Sequence, residues 1–128
     1  MHYIEMELIE MRHIEDTEQI MLFEWAQLQS GKYPELKRMY HIPNGGKRDA
    51  REAARLKRLG VKPGVPDICL ASPHGKFHGL YIEMKAPKGK TSKYQEKWIS
   101  ELSAAGYDTA VCFGFEEARK KIMEYIAL

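Results

Sequence analysis

The chain has 128 residues, 44% hydrophobic and 30% charged, with a formal net charge of +2. This length suits one domain spanning 1–128, whose core needs no disulfides. Cys69 and Cys112 lie in apolar runs, which indicates buried thiols in a reducing compartment. The sequence has no Cys/His zinc spacing, no signal-peptide pattern and no apolar stretch of roughly 18 residues, which argues against a zinc module, a secreted protein and a membrane protein.

The charges are unevenly distributed along the chain. Residues 1–29 contain seven acids and one base, whereas residues 32–62 contain ten bases and three acids. Such segregation favours a polyanionic partner for the middle of the chain, the alternative being a solvated basic face.

The N-terminal part predicts one clear helix. Residues 1–14 mix apolar and acidic side chains and fit either a short strand or a helical arm. A helix is predicted over about 16–29, because Glu18, Leu22 and Trp25 share a face.

The basic middle of the chain predicts a strand, a turn and a helix. The strand covers about 39–42 and ends at the Pro-Asn-Gly-Gly turn of 43–46. The helix begins at a capping box that opens with Asp49 and ends before Gly60. Four arginines recur along it every three or four residues and form one stripe: Arg48, Arg51, Arg55 and Arg58.

The second half of the chain predicts a hairpin, two helices and one more strand. Their positions are hairpin strands at 67–71 and 78–85, a helix from Ser92 to Gly106, a strand at 109–113 and a final helix with an apolar face of Ala118, Ile122, Tyr125 and Ile126. The continuous apolar sequence of strand 109–113 predicts that it is buried. The order α β α β β α β α predicts a mixed β-sheet flanked by α-helices, with a parallel, right-handed crossover into strand 109–113.

Two carboxylates and an amine meet on the predicted hairpin. Asp67 opens the first strand, and Glu83 and Lys85 share one side of the second strand. Neighbouring carboxylates repel unless a cation lies between them, and Mg²⁺ or Mn²⁺ suits oxygen ligands, to which Met84 could add its backbone carbonyl. Lys85 could then orient or deprotonate a water and offset the charge of a phosphate. A surface Glu–Lys pair is the plainer alternative, but a half-buried strand makes an unpaired charge costly.

Several motifs in order carry a resemblance to a known family. They are Ile-Pro-Asn-Gly-Gly at 42–46, Leu-Gly-Val-Lys-Pro-Gly-Val-Pro-Asp at 59–67, Glu-Met-Lys-Ala-Pro at 83–87 and Ser-Lys-Tyr-Gln at 92–95. With them the chain resembles the virus-type replication-repair nuclease (VRR-NUC) family, a branch of the PD-(D/E)xK nucleases. The resemblance runs from about residue 16 to the C-terminus and leaves residues 1–15 outside it.

The resemblance implies a restriction-endonuclease-like α/β core that binds Mg²⁺ or Mn²⁺ and cuts DNA phosphodiesters. It assigns metal ligation to Asp67, Glu83 and the Met84 carbonyl, and catalysis to Lys85 together with the two carboxylates.

It also implies an acid on the first helix and a glutamine near the site. The acid maps best onto Glu18, with Glu24 as the alternative. Gln95 maps onto the glutamine, and it also fits the capping box that Ser92 opens, so both roles can hold.

The expected DNA-binding residues surround these motifs. They are Asn44, Gly45, Gly46, Lys47, Arg48, Arg51, Arg55, Arg58, Lys62, Lys88, Lys90 and Lys93. The glycines fit either a plain turn or a close approach to a phosphate, and His41 fits a strand position better than a ligand. The arginine stripe would contact phosphates, which position DNA without reading its sequence.

The function expected from this sequence is metal-dependent, structure-specific cleavage of Holliday junctions or other branched DNA. A homodimer is expected, because a four-way junction offers two symmetric cuts. The resemblance also implies a phage or mobile-element origin and action in the cytoplasm of a bacterial or phage-infected cell. The alternatives are a flap or general nuclease and a non-catalytic nucleic-acid-binding module.

Overall fold

The computed structural model describes residues 2–44 and 49–128. Within them the helices and strands follow one another in the predicted order. Their bounds are α1 His2–Gln29, a 3-10 helix Pro34–Arg38, β1 Met39–His41, α2 Ala50–Arg58, β2 Ile68–Leu70, β3 Leu80–Lys85, α3 Lys93–Ala104, β4 Asp108–Phe113 and α4 Phe115–Ile126.

The four strands form one mixed sheet in the order β1-β2-β3-β4. β2 is antiparallel to β1 and β3, and its register pairs Ile68 with Ile82. β3 and β4 run parallel, as a crossover through α3 requires. The predicted α/β class, a mixed sheet flanked by helices, is therefore confirmed.

The core lies between the sheet and the helices α1 and α4. Alternate residues of β2 and β3 point into it because strand side chains alternate between faces. The buried residues of these four elements include Leu22, Ile68, Leu70, Leu80, Ile82, Met84, Ala118, Ile122 and Tyr125. Burial of each large apolar side chain stabilises the fold by about 1.5–3 kcal/mol. This packing holds the ends of β2 and β3 rigidly against α1.

Helix α1 is longer than the sequence pattern indicated. It begins at His2 and continues for 28 residues, so residues 2–14 are helical rather than a strand. No glycine or proline interrupts the sequence before Gly31, and glutamate, methionine and leucine favour helix. Several apolar residues of this first half remain exposed: Tyr3, Ile4, Met6, Leu8, Ile9 and Ile14. Within the described residues, no helix is long and apolar enough to cross a membrane.

Strand β4 is less buried than predicted. It lies at an edge of the sheet, and of its six residues only Cys112 is fully buried. An edge strand has a neighbour on one side alone, so its side chains stay partly accessible. The prediction of a fully buried strand was wrong because an apolar run does not reveal the position of a strand within the sheet.

Helix α2 lies on the surface, and none of its residues is buried. The Asp49 side chain caps it by accepting a hydrogen bond from the Glu52 backbone N–H at 2.8 Å. Gly60 follows it with φ of 102°, the left-handed conformation predicted for a helix stop. This helix therefore owes its stability to its cap and its side chains more than to packing.

Candidate active site

A cleft of about 450 Å³ lies where α1 crosses the ends of β2 and β3. The sheet contributes Asp67, Glu83, Met84 and Lys85, and α3 contributes Gln95. The walls come from His41, Pro43 and Asn44 and from four α1 residues: Arg12, Glu15, Asp16 and Gln19. All the residues predicted to act in catalysis therefore line one cavity.

The antiparallel register of β2 and β3 brings Asp67 opposite Glu83. Ile68 pairs with Ile82, so Asp67, one residue before Ile68, lies opposite Glu83, one residue after Ile82. The Asp67 Oδ2 atom accepts a hydrogen bond from the Met84 backbone N–H at 2.9 Å, which fixes the carboxylate at the end of β3. Pro66, which is fully buried, anchors the chain immediately before it.

Glu83 is a buried carboxylate with one unpartnered oxygen. Only 3% of the residue is exposed. Its Oε2 accepts a hydrogen bond from Gln95 Nε2 at 3.1 Å and lies 3.5 Å from Lys85 Nζ, whereas Oε1 has no hydrogen-bond partner. Burial, followed by the charge of Asp67, raises the pKa of Glu83 to about 8, although Lys85 opposes this shift.

Gln95 connects the predicted catalytic residues to α3. Its Oε1 accepts hydrogen bonds from Lys85 Nζ at 2.9 Å and from the Ser92 backbone N–H at 2.8 Å. Its backbone N–H donates to Ser92 Oγ, which completes the predicted capping box. The capping of α3 thus holds the amide of Gln95 between Lys85 and Glu83, so the capping and active-site positions of this side chain are compatible.

A close backbone contact sets the distance between Asp67 and Gln95. Gly64 has φ of 89°, and a Cβ atom built there would lie 2.5 Å from the carbonyl carbon of Tyr94. Only glycine allows the loop before Asp67 to approach the first turn of α3 so closely.

Two acids of the first helix line the cleft, Glu15 and Asp16. Glu18, the residue assigned from the sequence, points elsewhere: its Oε2 accepts a hydrogen bond from the Phe115 backbone N–H at 3.0 Å, at the start of α4. Glu24 is exposed and does not line the cleft. Burial raises the pKa of Glu15, with Lys85 lowering it and Asp67 raising it further.

A spacing in the sequence could have identified Glu15. Glu15 and Gln19 are four residues apart, and Arg12 is one turn earlier, so all three share a helical face. The predicted helix began at about residue 16, so Glu15 was not assigned to any helical face. The observed helix begins at His2, and Glu15 therefore shares a face with Arg12 and Gln19.

His41 is held beside the cleft by its ring nitrogen. Nδ1 lies 2.8 Å from the Asp67 carbonyl oxygen, and because a carbonyl can only accept, Nδ1–H is the donor. Gln19 Nε2 lies 3.0 Å from the same nitrogen, but an amide N–H cannot donate to a nitrogen that already carries a hydrogen. The hydrogen bond to Asp67 therefore ties β1 to the backbone at that residue, with Gln19 packed beside it.

The predicted DNA-binding residues occupy several surfaces. Arg51, Arg55 and Arg58 are exposed on α2, and Arg55 pairs with Glu52 at 3.0 Å. Lys62, Lys88, Lys90 and Lys93 are also exposed. Asn44 lines the cleft and donates from Nδ2 to the Val65 carbonyl at 3.3 Å. Gly45, Gly46, Lys47 and Arg48 lie outside the described residues.

The donor set of the cleft fits a hard divalent cation. Asp67 and Glu83 present carboxylate oxygens, burial and the repulsion between them raise the pKa of Glu83, and the buried Glu83 Oε1 has no hydrogen-bond partner. In residues 2–44 and 49–128, no group of three or more His, Cys, Asp or Glu side chains is placed so that it could hold a metal ion by itself. An open site that is completed by backbone, water or substrate oxygens suits Mg²⁺ or Mn²⁺.

Comparisons with known proteins agree with this geometry. The family model described as the VRR-NUC domain matches residues 14–116. A solved structure described as a VRR_NUC domain protein superposes with a TM-score of 0.78 at 32% identity, covering 90% of this chain and 89% of that one. No curated protein sequence matches the chain.

The mixed sheet, with an aspartate immediately before β2 and Glu-x-Lys at the end of β3, is an α/β fold, and the family match places it in a nuclease class. With the family model matching most of its length, the chain belongs to the VRR-NUC domain family.

Proposed function

We propose that this protein is a metal-dependent, structure-specific DNA endonuclease that cuts Holliday junctions or similar branched DNA. The observation that carries the proposal is the network of Glu83, Gln95 and Lys85 beside Asp67, with one buried carboxylate oxygen left unpartnered. A plain surface ion pair would need neither this burial nor the bridging glutamine.

Different residues of the site would hold the metal ion and orient the attacking water. Asp67, Glu83 and the Met84 carbonyl would hold Mg²⁺ or Mn²⁺, with Glu15 in the place first assigned to Glu18. When bound, the ion supplies Lewis acidity that polarises the phosphate and makes a nearby water more acidic. Lys85 Nζ orients the attacking water and offsets negative charge on the phosphate, while Gln95 Oε1 keeps the amine aimed at the cleft.

Exposed basic residues supply the affinity for DNA. The three arginines of α2 and the lysines at 62, 88, 90 and 93 are accessible to a phosphate backbone. Such contacts position a duplex without reading its sequence, which agrees with recognition of structure rather than sequence.

We also propose a homodimer in which the N-terminal arm, residues 2–14, contacts a second copy. Ile4 and Leu8 are 63% and 49% exposed, and Met11 follows them at helical spacing on the same stripe. Exposed apolar stripes of this kind are typical of association surfaces. Two copies of the single nuclease domain, residues 1–128, would suit the two cuts of a four-way junction.

The two cysteines are free and buried, which suits action in a reducing cytoplasm of a bacterial or phage-infected cell.

Cleavage of a labelled four-way junction tests the proposal, beside a flap and a linear duplex of matched sequence. Each DNA is incubated with Mg²⁺, with Mn²⁺ or with EDTA. Symmetric nicks at the junction that require a metal are expected. Cutting of the flap or duplex instead would replace the junction with a flap or general nuclease activity, and binding without cleavage under either metal would favour a non-catalytic binding module.

A further inference from the structure

A second cleft of about 450 Å³ adjoins the candidate active site. Its walls are apolar and include the indole of one tryptophan, and a lysine lies at its rim. The residues that matter here are Ile42, Leu59, Val61, Lys62, Val65 and Trp98. None of them belongs to the network around Glu83, and the catalytic proposal gives this cavity no role.

Two shared elements connect this cleft to the active site. Pro43 and Asn44 line both cavities, so they form the wall between them. The hydrogen bond from Asn44 Nδ2 to the Val65 carbonyl holds that wall in place at 3.3 Å. Trp98 follows Gln95 by three residues on α3, so one helix face presents both the active-site glutamine and the tryptophan. A DNA strand with a phosphate beside Asp67 would therefore run next to the second cleft, because the two cavities share one wall.

The chemistry of the second cleft suits a nucleobase. Apolar walls and a half-buried indole offer a stacking surface, which accepts any base through its π-face. Lys62 and the exposed arginines of α2 supply positive charge for the sugar–phosphate backbone outside the cavity. A paired base inside a duplex could not enter such a cavity without leaving its stack.

We infer that this cleft, defined by Leu59 and Trp98 and named here the Trp98 pocket, binds one unpaired nucleobase of the substrate strand next to the scissile phosphate. The inference rests on the proposed nuclease function and adds a reason for selecting branched DNA. Extrusion of a base from the stack costs least where pairing is already interrupted, so a branch point fills the pocket more readily than a continuous duplex.

The first test is an abasic scan of the junction under single-turnover conditions. A tetrahydrofuran nucleotide replaces each of the three nucleotides on either side of the cut. One position is expected to slow cleavage by wild-type protein about tenfold, as loss of one base–aromatic stack predicts. Trp98→Leu and Leu59→Ser should slow cleavage of the intact junction and lose their sensitivity at that position, whereas Trp98→Phe retains it.

Leu28→Ser is the matched control, because Leu28 is an exposed leucine remote from both clefts on α1. It should keep the wild-type abasic profile. Because Leu59 is 67% exposed, its variant should fold even if Trp98→Leu does not. A junction that is cut at an unchanged rate with every abasic substitution would overturn the pocket and leave the nuclease in place.

A fluorescence measurement of DNA binding tests the pocket even if the protein cuts no DNA. With 2-aminopurine at the sensitive position, or at each flanking position in turn, fluorescence should fall on binding in EDTA as the base stacks on Trp98. Leu59→Ser should weaken this quenching. If the DNA binds but no position is quenched, the pocket is refuted, whatever becomes of the catalytic proposal.

Discussion

At the scale of single residues, Glu83 carries a testable electrostatic cost. Its pKa is raised to about 8 from an ordinary 4.5, because burial and Asp67 disfavour the charged form. The folded protein therefore holds a proton that the unfolded chain releases above its ordinary pKa. The stability associated with that proton is fully present below about 4.5 and is lost as the pH rises through about 8.

Glu83→Gln should therefore stabilise the metal-free protein at pH 9 by roughly 4–5 kcal/mol and change it little at pH 4.5. Urea denaturation in EDTA at the two pH values measures the difference. Glu124→Gln, which changes an exposed glutamate on α4, is the control and should show no such pH dependence. Equal effects of Glu83→Gln at both pH values would mean that Glu83 is not a buried acid with a raised pKa.

Lys85 provides the sharpest test of catalysis. Lys85→Ala should reduce junction cleavage by about 10²–10⁴-fold, because the amine that orients the water is lost. DNA binding, measured by fluorescence anisotropy, should stay within about twofold, since one of many basic groups is removed. Lys120→Ala, on the exposed surface of α4, should cut normally. A Lys85→Ala protein with wild-type rates would rule out the proposed role.

At the scale of elements, the register of α1 determines which acid enters the cleft. Glu15 faces Asp67 and Lys85, whereas Glu18 binds the Phe115 N–H. These two glutamates lie three residues apart on one helix and have separable roles. Glu15 lines the cleft and is expected to act there, whereas Glu18 joins α1 to α4.

Glu15→Gln should weaken Mn²⁺ binding and slow cleavage without lowering the melting temperature of the apoprotein. Glu18→Ala should leave Mn²⁺ binding and cleavage unchanged. It should lower the free energy of unfolding by about 1 kcal/mol, because a helix N-terminal N–H loses its acceptor. Calorimetry of Mn²⁺ binding and thermal denaturation of both variants make the comparison. Loss of Mn²⁺ affinity in Glu18→Ala alone would return the assignment to Glu18.

The salt dependence of DNA binding can test whether helix α2 contacts DNA phosphates. Its arginines are exposed, and Arg51 and Arg58, unlike Arg55, have no ion pair among the described residues. The double variant Arg51→Ala, Arg58→Ala should lower the slope of log Kd against log salt by about 2, since each phosphate contact releases about one counterion. An unchanged slope, with Lys120→Ala as the comparison, would remove α2 from the DNA interface.

At the scale of the whole molecule, the apolar arm predicts the oligomeric state. Ile4→Glu with Leu8→Glu should convert a dimer into a monomer, because both changes place charge in the proposed contact. Multi-angle light scattering over a range of concentrations measures the mass. Glu7→Gln with Glu10→Gln, at exposed positions on the same helix, should remain dimeric. A wild-type protein that is monomeric alone and on a junction would end the dimer proposal.

Much of the fold was predictable from the sequence because its signals are local. The capping residues Asp49 and Ser92, the stop at Gly60 and the apolar face of α4 depend on neighbours within one or two turns. The motif residues Asp67, Glu83 and Lys85 were also predictable, since strand alternation and antiparallel pairing place them together once a hairpin is assumed. Gln95 was predicted from the family resemblance alone, because it lies on a helix outside the hairpin.

Only the tertiary structure decided the features that depend on distant contacts. The burial of β4 follows from its place at the sheet edge, and the choice of Glu15 over Glu18 follows from where α1 crosses the strand ends. The close contact of Gly64 with Tyr94 and the second cleft at Trp98 each join segments about 30 residues or more apart. Periodicity reports which face of an element is apolar, whereas packing between elements decides what that face touches.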